Sequence, residues 1–175
     1  IQPYDSLHFM KINKKSTIVI AFILLLSSCD TWVENRSVMK PAPENENISP
    51  DLVRDNIATT DYSAIVFVEK GRVKEKSPLR RLGGYVNHIY RARVLETLRG
   101  PRYERITFAV MADSDIDLIL PEYPVIVSLC GKEKDAMYVP DNGYKLPATA
   151  ALTAAAREFS RKVKSSAPAK SVCSE

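Results

Sequence analysis

The chain has 175 residues, 45% of them hydrophobic, with 25 basic against 21 acidic side chains and a formal net charge of +4. That length builds one hydrophobic core and is short for two. The near balance of charge excludes the strongly basic footprint of a nucleic-acid binder.

Residues 1–9, "IQPYDSLHF", hold no initiator and are read as an upstream remnant, with Met10 as the expected start. Lys11, Lys14 and Lys15 precede an uncharged run over 16–28 that is almost purely aliphatic from Thr17 to Leu26. A spanning helix needs roughly 20 apolar residues, so this run is too short. Basic residues, a short apolar stretch and the small exit residues Ser27 and Ser28 describe a secretory signal peptide over 10–28. The exit reads "LSSC". It resembles the lipobox of bacterial lipoproteins, in which a Leu and two small residues precede an invariant Cys. Ser28 stands where Gly or Ala is commoner. The resemblance implies cleavage between Ser28 and Cys29, then a thioether diacylglycerol and an N-acyl chain on Cys29, with membrane lipid as the partner. Several acyl chains anchor a protein stably where one holds it only marginally. Asp30 resembles the signal that retains some lipoproteins in the inner membrane; otherwise it is a solvated tether residue. Three of the 25 basic and one of the 21 acidic residues precede Cys29, leaving 22 and 20, a net +2. The expected location is the bacterial cell envelope, lipid-anchored and facing the periplasm or exterior.

Residues 29–48 are polar, contain Pro41 and Pro43, and read as a tether, with Trp32 and Val33 placed to touch the membrane interface. A globular domain is expected over 49–164. Ser49 suits an N-cap, Pro50 the first helical position and Asp51 the positive end of the dipole, which predicts a short helix. Residues 64–76 open with the β-branched run Ile65, Val66, Phe67, Val68 and turn polar, as a strand buried at one end. Residues 77–87 carry Pro78, Gly83 and Gly84 and read as a connection. Residues 88–98 alternate, with His88, Tyr90, Ala92, Val94, Glu96 and Leu98 on the expected core face. Strands are also predicted over 106–112 and 124–130, the latter opened by Pro124. Between them lies the acidic connection "DSDIDLILPEY". A turn is expected at Asn142-Gly143. After Pro147, Leu152, Ala155, Ala156, Phe159 and Val163 recur at helical spacing, and 165–175 reads as a flexible tail. The expected fold is mainly β with flanking helices: a small five-stranded OB-like antiparallel barrel plus a C-terminal helix. Cys130 and Cys173 either bridge the tail to the core or remain a buried small hydrophobe and a free thiol.

"SPDLVRDNIATTDYSAIVFVEKGRV", "YRARVLETLRGP", "EYPVIVSLC" and "LPATAALTAAARE" resemble, in order and turns, the bacterial TIMP-like or netrin-like OB-fold domains over residues 49–160. The resemblance implies a fold. The zinc-directed amine of the animal inhibitors does not carry over, because Cys29 would be acylated and lies far upstream of the first strand.

Residues for chemistry are sparse. After the signal only His88 remains as a histidine base, and it reads as a packed or edge side chain. A structural zinc needs four Cys/His ligands, and the mature chain has no convincing set. Asp113, Asp115 and Asp117 lack the Gly and distal Glu of a calcium loop. Glu96, Glu104 and Glu122 are candidate acid–base pairs that no spacing singles out. "RLGGY" precedes no helix that would bind phosphate. Arg91, Arg93, Arg99, Arg102 and Arg105 form either a solvated outer face or contacts to a partner. No cofactor, metal or nucleic acid is expected. The expected function is a lipid-anchored protein-binding module, an inhibitor, immunity or assembly factor, and not an enzyme. The alternative is an envelope hydrolase using carboxylates.

Overall fold

The computed structural model describes residues 31–44, 47–74, 84–131, 135, 137–163 and 171–173. The expected signal peptide, Ser28, Cys29 and Asp30 lie outside them. The chain divides between Thr31 and Trp32, and every element belongs to the second unit. In chain order these are β1 (Val33–Glu34), α1 (Pro50–Thr59), β2 (Tyr62–Lys74), β3 (Tyr85–Arg99), β4 (Arg105–Asp113), β5 (Val125–Leu129), β6 (Met137–Tyr138), β7 (Lys145–Pro147) and α2 (Ala150–Val163). No helix among the described residues is long and apolar enough to cross a membrane.

The protein is mainly β: a curled, open sheet in the order β6-β4-β3-β2-β5-β7, with β1 added beside β2 and two helices. β2, β3 and β4 form an antiparallel meander, β5 returns antiparallel to β2, and β6 runs parallel to β4. One antiparallel bridge, Cys130 to Tyr138, brings the edge strand β6 back against the end of β5. Three register shifts in the β2–β3 pairing accentuate the curl.

Two cores follow from the two faces of β2 and β5. Tyr62, Ala64, Val66 and Val68 alternate inward with Tyr90, Ala92, Ile106, Phe108, Val125, Val127 and Leu129, lining the concave side. Ile65 and Ile126 point the other way and join Leu98, Leu146, Val53, Ile57, Leu152 and Ala156 beneath the helices. β2 and β5 are covered on both sides, which is why their sequences read as unbroken apolar runs. Ser49 caps α1 by accepting a hydrogen bond from the Asp51 amide. α1 has no basic residue in its last turn. Arg99 of β3 substitutes, its guanidinium donating to the Ile57 and Ala58 carbonyls at 2.7 and 2.9 Å.

Two expectations are corrected. Alternation placed Glu96 on the core face with Val94 and Leu98. The register skips Leu95, since Val66 faces Val94 while Ile65 faces Glu96. That bulge turns Glu96 to the outer side, where it pairs with Arg157 of α2 at 2.8 Å. The second concerns the tether over 29–48, of which residues 32–44 are laid along the domain. Val33 and Glu34 pair with Gly71 and Lys70. The Asn35 side-chain amide donates to the Val68 and Pro121 carbonyls at 3.0 and 2.9 Å. Ser37 and Lys40 both hold the Glu122 carboxylate. Trp32 is half-buried, with the Lys70 and Arg72 cations 5.5 and 4.7 Å from its ring centroid. The segment docks through hydrogen bonds and ion pairs rather than apolar area, so hydropathy does not reveal it. Opposite it, Gly71 admits the 114–124 connection, for a Cβ there would lie 2.9 Å from a Leu120 methyl.

Candidate functional site

The inward parity of β3 brings Val86, His88 and Tyr90 to one end of the concave face. β4 ends beside them, and the acidic connection after it folds back, the Ser114 amide donating to the Gly84 carbonyl. On the far side Asp141 accepts from the Asn142 amide at 2.6 Å and opens a 3-10 turn over Asn142–Tyr144, which delivers Lys145. Between these walls is a cleft of about 450 Å³. That volume suits a small ligand or a chain end.

Its floor is polar. Tyr90 stacks on Phe108 with centroids 5.4 Å apart and receives the edge of His88 at 6.3 Å. The Lys145 Nζ lies 4.8 Å from the Tyr90 ring centroid. Burial lowers the Lys145 pKa from its ordinary value and raises that of Tyr90. His88 is 3% exposed, and its Nε2 has no hydrogen-bond partner among the described residues. Burial lowers its pKa, the Lys145 charge lowers it further, and a hydrogen bond with the Ile116 backbone opposes both. The balance favours the neutral imidazole.

The rim is mixed. Tyr85, Met111, Ile116 and Ile119 are 53%, 53%, 50% and 67% exposed, and all four line this cleft. Asp113, Asp117 and Asp141 line it too. Among the described residues no group of three or more His, Cys, Asp or Glu could hold a metal.

The other candidate residues are dispersed. Arg93 and Arg105 both approach the Glu69 carboxylate, at 3.7 and 3.0 Å, and Arg99 is committed to α1. Arg91 and Arg102 are exposed on β3 and on the turn that follows it. Glu96 and Glu122 are engaged in separate ion pairs, with Arg157 and Lys40, and Glu104 is exposed. Cys130 and Cys173 form a disulfide, with Cα atoms 5.2 Å apart. Sequence reasoning missed Lys145 and the apolar rim. The available signal was two isoleucines, Ile116 and Ile119, in an acidic loop with no strand pattern.

Comparison of the chain with protein-family models, with curated proteins and with solved structures gives no match. The fold class rests on the strand order above, and the site on its own chemistry.

His88 makes stability depend on pH. Its folded pKa lies below the unfolded value near 6.5, so the unfolded chain takes up the proton first as pH falls. The associated stability is complete above about pH 6.5 and declines towards the folded pKa. Urea midpoints should fall between pH 7.5 and 5.5 in the wild type and fall less in His88→Gln. Equal falls would reject a buried neutral imidazole.

Proposed function

We propose that this protein is a lipid-anchored binding module of the bacterial envelope, of the inhibitor, immunity or assembly kind, and that it engages a protein partner through the cleft end of its sheet. The "LSSC" exit supports the anchoring at Cys29, and the short apolar run supports export. The meander, the return of β5 to β2 and the parallel β6 beside β4 support an OB-like arrangement of five strands, β2 to β6. One observation carries the binding role: four large apolar side chains are left exposed around a single concave cleft. Contiguous exposed apolar surface with a polar border is the signature of an interaction site.

The test is capture from envelope membranes by the anchored protein, with Met111→Asp and Ile119→Asp against Lys162→Asp on the exposed side of α2. Both rim variants should lose a partner that the wild type and the control retain, since burying a new charge costs several kcal/mol. Retention by both rim variants would reject the surface. The second reading, a carboxylate hydrolase, draws on Asp113, Asp117 and Asp141 lining one cleft. Hydrolysis of envelope substrates that disappears in the Asp→Asn variants would favour it.

A further inference from the structure

We infer that the floor of the cleft, which Lys145 and His88 both line, is a receptor for one carboxylate carried on an apolar body. This deepens, and rests on, the cleft being the binding surface. Lys145 is half-buried and has no carboxylate partner among the described residues; its ammonium lies over the face of Tyr90. A cation withdrawn from water and left with a ring face alone gains from an anion that enters the same space. The second group points the same way. The buried Nε2 of His88 has no partner among the described residues, where buried polar atoms normally find one. A carboxylate presents two oxygens and satisfies both, one on the ammonium and one on the imidazole, which takes up a proton to donate.

The charge of the ligand is limited by the rim. Besides Tyr85 and Tyr90, the titratable groups lining the cleft are Asp113, Asp117, Asp141, His88 and Lys145. A phosphate dianion meets three carboxylates and one fixed cation. A monoanion is matched by Lys145, the proton taken up by His88 offsets one rim acid, and the other two favour a body that is apolar or basic. Val110, Val139 and Ile116 offer apolar wall for it. The terminus of a peptide chain and a free aliphatic acid share this chemistry.

Calorimetry on the full chain in a neutral maltoside detergent separates the outcomes. The probes are N-acetylphenylalanine, its C-terminal amide, hexanoate and inorganic phosphate. N-acetylphenylalanine should bind at least tenfold more tightly than the amide. Lys145→Met should erase that preference and Lys145→Arg keep it, so that loss of charge is distinguished from loss of fold. Tighter binding of N-acetylphenylalanine than of hexanoate assigns a chain terminus, and the reverse a free acid; either supports the receptor. Equal binding of acid and amide, or tighter binding of phosphate, overturns it. If the acid preference fails while the rim variants still lose their partner, the receptor falls and the docking surface stands. If the preference holds while the rim variants keep their partner, the docking surface falls.

Discussion

Cys29→Ala is expected to abolish acyl labelling and membrane retention while leaving the domain folded. The proposed anchoring takes the lysine patch, the short apolar run and "LSSC" as one processing signal at this residue. Each buried methylene contributes about 0.8 kcal/mol, so several acyl chains far exceed any attraction of a near-neutral body to anionic lipid. Every described element begins after Thr31, so the substitution removes no described contact. Labelling with a palmitate analogue, followed by membrane fractionation, measures the effect. The variant should be unlabelled and soluble, with an unchanged thermal midpoint. Equal labelling of both forms would remove the lipoprotein reading and the envelope location with it.

The second large effect concerns the Cys130–Cys173 bridge. Cys130 is fully buried at the end of β5, where its backbone also bridges Tyr138. Cys173 lies in a segment whose Val172 amide donates to the Thr59 carbonyl at the end of α1. The bridge therefore pins the last described residues to the core across a sequence separation of 43. Constraining a loop of that length in the unfolded chain stabilises the fold by about 4 kcal/mol in the chain-entropy model, and measured cases run near 2–4. Cys173→Ala should lower unfolding stability by roughly that much. Dithiothreitol should lower the wild type to the same level and leave the variant unmoved. A wild type insensitive to reductant would show that the bridge does not contribute. An oxidising compartment keeps such a bond closed, so the bridge is compatible with the proposed envelope location.

Much of the fold was legible because its signals are local. Ser49, Pro50 and Asp51 start α1 through a cap, a permitted proline and a dipole. The spacing of Leu152, Ala155 and Ala156 marks the buried side of α2. The run over 125–129 reads as a central strand because both of its faces are covered. The alternation expected over 88–98 held from His88 to Val94 and failed at Glu96, since a bulge adds a residue and reverses which side the next one faces.

What the sequence determined by itself was the β-rich class, the two helices and the inward face of most strands. Each depends on residues within a few positions of one another. Tertiary structure alone decided the rest. It laid residues 32–44 on the domain, because their hydrogen bonds reach carbonyls 33 and 86 positions away. It spent Arg93, Arg99 and Arg105 on internal partners. It placed Lys145 over Tyr90 and left the His88 Nε2 without a partner among the described residues, because β3 and β7 meet there only after the sheet curls. Side-chain type and local periodicity carry no record of such distant approaches, so the cleft exists in the fold and in no stretch of the sequence.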